Sequence, residues 1–510
     1  MTIARLHNSS SAPPPRTSSA PPPASSPRHV DLSGASGAAV QFRSARLGPA
    51  DVTMDLACQF GLEGVHIGPL EVLDVSTTGF ATSVPAELEV PPGTSLDGVE
   101  LLLQGRSVWS GDATVIHSVG GRLGARFTSG VVDVNQLRSG LTLEGRLAVR
   151  REQSEHLPAE WRAAVADLRQ LLEDVRGEIE QVERAETHDP MRRSDDEALL
   201  FDTLLAGWGK EFFAAVARLH EMSKPLTDRA SVLGHSYASS MLAPLLMACP
   251  MHRRAYEKPL GYSGDYRMME LCYATELAGD GLYGRFLHSL TQSYTFVRTV
   301  RAREEVIREA VRGAMLAGGE GPVKILAVAA GPAIEIRHVL EEIETLDRPI
   351  ELILLDQDPA AHEAAQRHLF RVLFERHRGT LPINVRSLHF SVRQLLRPMT
   401  DDEIAVRRQL DQLDLVYSAG LYDYLPDAVA IRLTQLLFGR LRRGGRLLMG
   451  NLIETPDSTW MMDYVCDWKL TYRTPESMLA LGRRLSPAPA RIGITRDSTD
   501  RCLFLDATTS

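Results

Sequence analysis

Asp356 follows the apolar run Leu352-Ile353-Leu354-Leu355 and stands 25 residues after Gly331. Gly331 belongs to a small-residue turn, Ala329-Ala330-Gly331-Pro332-Ala333, between the apolar run Val323–Val328 and a segment carrying Ile334, Ile336, Val339, Leu340 and Ile343 at helical spacing. Small residues at a strand-to-helix turn let backbone N–H groups and the helix N-terminus approach a ligand closely. An acid at the tip of the next strand, about 20 residues on, can accept hydrogen bonds from ribose hydroxyls. The competing role for Asp356 is a helix N-cap within Asp-Gln-Asp-Pro. Asp358 suits that role better, because Pro359 then takes the first helical position. The glycine spacing of a dinucleotide fingerprint is not met, since no glycine follows at the third position.

The same pattern recurs further along the chain. Ser391, Val392 and Arg393 follow a strand ending His389-Phe390, and Ser418, Ala419, Gly420, Tyr422, Asp423 and Tyr424 follow a fourth strand. All these sets fall at the carboxyl ends of strands, where open α/β sheets place their ligands. Tyr422 and Tyr424 could instead pack on the next helix. Arg491–Thr495 and Arg501–Asp506, separated by a polar turn, read as a terminal β-hairpin.

ILAVAAGPAIEI, ELILLDQD, FSVRQLL, LDLVYSAGLYDYL, RGGRLLMGN and WKLTYRT occur in the order of the motifs of class I S-adenosylmethionine (SAM) methyltransferases. With KPLGYSGDYRMMELCY upstream, the stretch from about 200 to 510 resembles the bacterial extracellular-factor, or 3-hydroxypalmitic acid methyl ester biosynthesis, proteins. The resemblance implies that Ala329, Gly331 and Ala333 pack against the methionine part of SAM, that Asp356 and Gln357 hold the ribose, and that Ser391, Val392 and Arg393 flank the adenine. Ser418, Gly420, Tyr422, Asp423 and Tyr424 would line the floor between SAM and acceptor. One departure stands out: the acid common at the third position of the first motif's ILxV is Ala327 here. A contact to the SAM amino or carboxylate group must then come from elsewhere.

The implied acceptor is the carboxyl group of a 3-hydroxy fatty acid or a similar small acid. A carboxylate is already anionic at neutral pH and needs no general base; an amine or hydroxyl would, with Asp423, Tyr422 and His252 as candidates. Tyr422, Asp423 and Tyr424 are the catalytic candidates. Met241, Met247, Met251, Met268 and Met269 could enclose an acyl chain or simply fill helix core. Arg298, Arg301 and Arg303 could pair with a carboxylate or form a solvated helix face. The loop Gly261–Tyr266, with Tyr262, Asp265 and Tyr266, is expected to close over the SAM site, with Trp468, Tyr472 and Arg473 opposite.

These residues need several elements to hold them. At about 150 residues per domain, 510 residues predict roughly three folded units. Residues 1–38 read as a disordered Pro/Ser-rich tail. Residues 39–145 alternate with period two between glycine and proline breaks, which predicts a β-barrel. Asp74, Ser76 and Gly79 form D-x-S-x-x-G there, and with GRLGARF this resembles a PilZ domain, a cyclic di-GMP-binding module. The expected arginine arm is reduced to Arg43 and Arg46, spaced RxxR, so a structural or protein-binding barrel stays open.

Trp161, Val165, Leu168, Leu172, Val175, Ile179 and Val182 follow a heptad over a helix within 155–190. That stripe either packs on its own chain or forms a homodimer. Residues 195–318 read as a helical cap and 319–510 as a Rossmann-like α/β methyltransferase unit with a terminal antiparallel hairpin. A net charge of -9 argues against nucleic acid as a partner. Five scattered cysteines argue against a disulfide framework or metal site. No apolar run is long enough for a membrane span, and a cytoplasmic location is expected. The reading is a methyltransferase using SAM, regulated by cyclic di-GMP. The rival is a non-catalytic, cyclic di-GMP-responsive effector that uses the fold to bind a partner.

Overall fold

The computed structural model describes residues 56–510 apart from 77–78, 86–87, 89, 104, 120, 129–131, 133–136, 138–142 and 186–192. The tail 1–38 and the arm residues Arg43 and Arg46 lie outside the described residues.

Six strands close into an antiparallel barrel in the order β1 (Leu56–Leu62), β2 (Val65–Ser76), β3 (Gly79–Ser83), β6 (Arg122–Phe127), β5 (Arg106–Val119), β4 (Ser95–Leu103). Alternation turns Phe60, Val75, Phe80, Leu101, Val115 and Leu123 into a shared interior, and closure leaves no free sheet edge. The D-x-S-x-x-G residues sit at the β2–β3 corner. Ser76 Oγ donates to the Gly79 carbonyl at 3.0 Å, and Asp74 is ion-paired with Arg122 of β6. A Cβ on Gly79 would lie 2.3 Å from the Ala125 carbonyl oxygen, so only glycine lets β3 and β6 approach this closely.

The heptad stripe lies on the helix Ala159–Ala185. Trp161, Val165, Leu168, Leu172, Val175 and Ile179 are buried in one core with the helices Trp208–Ser223, Asp228–Leu246 and Gly281–Gln292. Of the two alternatives for this stripe, the structure shows packing on its own chain: the bundle supplies the apolar partner. The indole N–H groups of Trp161 and Trp460 both donate to Ser223 Oγ, at 2.8 and 3.0 Å, joining three distant stretches of sequence.

The carboxyl-terminal part is a seven-stranded sheet in the order β12-β13-β11-β10-β7-β8-β9. Strands β7 (Val323–Val328), β8 (Ile350–Asp356), β9 (Ile383–His389), β10 (Leu413–Ser418) and β11 (Leu441–Leu452) run parallel. Strand β13 (Cys502–Thr509) inserts antiparallel between β11 and β12 (Pro489–Arg496). This is the Rossmann-like arrangement with a terminal hairpin expected from the sequence. Its central strands are near-continuous apolar runs because helices cover both faces. The strand order reverses between β7 and β10, which opens a crevice at their carboxyl ends.

The helix Thr295–Met315 buries Val297, Val300, Ile307 and Val311 and packs on β7 and β10. Beyond β11, the π-helical turn Met461–Val465 packs on Asp228–Leu246, with Tyr464 stacked on His235 at 4.2 Å. Helices and sheet thus share one core, and residue 318 marks a change of element rather than a break in packing. All five cysteines are free and buried. Among the described residues no helix is long and apolar enough to cross a membrane.

Candidate functional site

A pocket opens at the switch point, walled by the β7 and β10 turns, the tip of β8, the residues after β9, the helix Thr295–Met315 and the loop before the helix Tyr266–Tyr273. Its empty space, with the mouth and the adjoining open solvent included, is about 1180 Å³. Ala329, Gly331 and Ala333 hold φ of 54°, 54° and 50°. This left-handed backbone curls the turn beneath the pocket, at a strain cost of order 1 kcal/mol for each alanine. A Cβ on Gly331 would meet no protein atom within 4 Å, so the missing side chain leaves open room in the crevice.

Asp356 bridges two turns: its Oδ2 accepts from Gly331 N at 2.9 Å and its Oδ1 from Asp358 N at 3.0 Å. Burial pushes its pKa up, while those N–H groups and His362 oppose the shift. Asp358 is the helix N-cap, accepting from Ala360 N at 2.9 Å with Pro359 next. Gln357 lines the pocket, and its Oε1 is buried without a hydrogen-bond partner. Phe390, Ser391 and Val392 form the adjoining wall. Ser391 and Gln394 make a capping box that fixes where the helix Val392–Leu396 begins.

The inner end is charged. Arg303 is 6% exposed, and its one hydrogen bond among the described residues goes to Met269 Sδ at 3.6 Å. Asp423 lies 3.9 Å away, outside hydrogen-bond range. Glu335, in the first turn of the helix Ile334–Glu342, accepts from Tyr417 Oη at 2.7 Å. Burial raises the pKa of Glu335, with the Tyr417 hydrogen bond opposing it. Asp423 accepts from Leu452 N at 2.7 Å, and burial pushes its pKa up to about 7 against the pull of Arg303.

The opposite wall is aromatic: Tyr262, Tyr266, Phe296, Tyr424 and Trp468. Trp468 Nε1 donates to Tyr424 Oη at 3.0 Å, and a Cβ on Gly264 would sit 2.1 Å from that oxygen. The loop is pinned at both ends. Lys258 Nζ donates to the Asp467 carbonyl and carboxylate at 2.8 and 3.0 Å, and Asp265 caps the helix Tyr266–Tyr273 while paired with Arg254 at 2.7 Å. A smaller apolar cavity, lined by Met251, Met268, Met461 and Met462 among others, shares Phe296 and Trp468 with the main pocket.

Of the sequence candidates, Ala329, Gly331, Asp356, Gln357, Ser391, Val392, Gly420, Asp423, Tyr424, Tyr262, Tyr266 and Trp468 converge on this pocket. The rest stand elsewhere. Ala333 caps the following helix, Ser418 is buried at the end of β10, and Arg393 and Arg298 are exposed. Tyr422 turns inward to Thr434 at 2.9 Å, the packing alternative raised above. Tyr472 donates no wall; its hydroxyl meets Thr459 at 3.3 Å. Arg473 is buried behind the floor, held by the Tyr422 carbonyl, Asp427 and Asn451. Arg301 donates to the carbonyls of Cys272 and Gln292, so only Arg303 of its trio reaches the pocket; two residues turn a helix by about 200°. Met269, one of the methionines named as possible acyl-chain lining, also reaches the pocket, whereas Glu335, Phe296 and Tyr417 were not singled out from sequence. The one signal available was an acid in the first turn after the small-residue loop.

No family model and no curated protein matches the chain. Among solved structures, a possible exported protein from Bordetella parapertussis is 17% identical, with 59% of this chain and 96% of that one covered and a TM-score of 0.39. Magnesium protoporphyrin IX methyltransferase from Synechocystis PCC 6803, with bound SAM, is 12% identical over 42% of this chain and 84% of that one, with a TM-score of 0.29. N-methyltransferase NodS from Bradyrhizobium japonicum WM9, in complex with S-adenosylhomocysteine, is 15% identical over 48% and 97%, with a TM-score of 0.28.

Proposed function

We propose that this protein is a SAM-dependent methyltransferase that esterifies the carboxyl group of a 3-hydroxy fatty acid or similar small acid, under control of cyclic di-GMP bound at the barrel. The observation that carries the catalytic half is the pocket at the switch point. It combines a left-handed turn open at Gly331, an acid at the tip of β8, and a buried Gln357 oxygen without a partner. Those features fit a nucleoside ligand. Asp356 and Gln357 offer acceptors to ribose hydroxyls, and Phe390 and Val392 offer an apolar wall to the base.

SAM supplies an electrophilic methyl on a sulfonium; the acceptor oxygen forms the new C–O bond as the S–CH3 bond breaks and the sulfur leaves as a neutral thioether. The protein's part is alignment and exclusion of water. Phe296, Tyr424, Trp468 and Leu470 line the pocket beside the charged end and would screen the acceptor from solvent. A carboxylate requires no base, which agrees with Tyr422 being engaged by Thr434. The neighbouring methionine-lined cavity supports an acceptor with an apolar portion.

The regulatory half is supported by the closed barrel and the placement of Asp74, Ser76 and Gly79 at one corner. One experiment tests both halves: incubation of the full chain with methyl-labelled SAM and a bacterial lipid extract, with and without cyclic di-GMP. Base-labile label in methyl esters, changed in amount by cyclic di-GMP, is expected. Absence of label under every condition would overturn the catalytic reading and favour a non-catalytic effector.

A further inference from the structure

The inner end of the pocket carries two opposite charges that the protein itself leaves incompletely satisfied. Burial of a guanidinium is costly unless oxygen acceptors replace its hydration. Arg303 is nevertheless buried with a thioether as its one hydrogen-bond partner among the described residues, and sulfur is a weak acceptor. Gly420 keeps this space clear, since a Cβ there would come within 3.0 Å of the guanidinium. Across the same end, Glu335 receives one hydrogen bond, from Tyr417, and no other residue is hydrogen-bonded to it among the described residues. Both side chains line the pocket together with Ala329 and Gly420, and the Arg303 charge pulls the Glu335 pKa down against the effect of burial.

We infer that Arg303 and Glu335 form a clamp for a zwitterionic α-amino acid group, Arg303 binding its carboxylate and Glu335 its ammonium. The inference rests on the methyltransferase reading and deepens it: the clamp takes over the contact that Ala327, buried in β7, has no side chain to make. The amino acid group adds no net charge, and neither does the pair that receives it. Each contact is a charge-assisted hydrogen bond on a preorganised donor or acceptor.

The test is calorimetry on the full chain with S-adenosylhomocysteine and with 5′-methylthioadenosine, which shares the nucleoside and sulfur but lacks the amino acid end. Wild type is expected to bind S-adenosylhomocysteine about 10- to 100-fold more tightly. Glu335→Gln and Arg303→Met are expected to remove most of that advantage while leaving 5′-methylthioadenosine affinity within about twofold, which also reports that the variants fold. A ligand-side comparison needs no variant: deaminated and decarboxylated S-adenosylhomocysteine should each bind wild type about tenfold or more weakly than the parent. Equal affinities for parent and analogues, or variants that bind the parent as wild type does, overturn the clamp. If wild type binds neither nucleoside, the methyltransferase reading itself fails.

Discussion

Asp423 is the acid whose protonation the fold alters most usefully for experiment. Its folded pKa of about 7 lies far above that of a solvated carboxyl, because burial outweighs the nearby Arg303. The folded state therefore holds this proton more tightly than the unfolded chain does. The stabilisation is complete below about pH 4 and is lost as pH rises through about 7. Asp423→Asn, which can still accept from Leu452 N, should match wild type near pH 4 and exceed it above pH 7 by on the order of 2–4 kcal/mol. Chemical denaturation of both proteins across that range measures the difference, and parallel curves would reject the raised pKa. Gly331→Ala belongs to the same scale. Its methyl meets open crevice rather than protein, so stability should fall by only about 1–2 kcal/mol for the positive φ, while nucleoside affinity drops more than tenfold.

At the scale of elements, the turn after β10 depends on a residue that lies outside the pocket. Arg473 donates to the Tyr422 and Leu425 carbonyls and to Asn451 and Asp427, tying the 3-10 turn Tyr422–Tyr424 to β11 and to the helix Asp427–Phe438. Arg473→Met leaves buried carbonyls unpaired and should cost about 2–4 kcal/mol, read from the denaturation midpoint. An unchanged midpoint would remove the structural role. The aromatic loop is held in the same fashion by Lys258, Ser263 and Asp265. Tyr262→Ala leaves those anchors intact and should weaken nucleoside binding by about tenfold, with little change in melting temperature. Equal affinity would show that the loop covers nothing.

For the molecule as a whole, one core runs from the helix Ala159–Ala185 to the sheet, so loss of volume in the heptad stripe should be felt far from that helix. Leu172→Ala is expected to destabilise by about 2–5 kcal/mol without altering mass by light scattering at any protein concentration. A concentration-dependent mass that the substitution abolishes would restore the coiled-coil reading. The barrel, in contrast, closes around a core of its own. Its D-x-S-x-x-G corner is consumed partly by barrel geometry, through the Ser76 hydrogen bond and the close approach at Gly79.

The sequence by itself determined the order of elements, because period two, period 3.6 and small-residue turns are local and each leaves its own pattern. It also located Gly331, Asp356, Gln357, Val392 and Asp423, since the carboxyl ends of consecutive parallel strands are brought together by any sheet of this type. The tertiary structure alone decided which side of each helix met the pocket. Arg298, Arg301 and Arg303 are equivalent as letters, but only Arg303 turns inward, and Tyr422 and Tyr424 part in opposite directions within one 3-10 turn. Glu335 and Tyr417 came into contact across 82 residues of chain. The heptad stripe was legible at once, whereas its partner was not: periodicity shows that a face must be covered, and only the packing of the other helices shows by what.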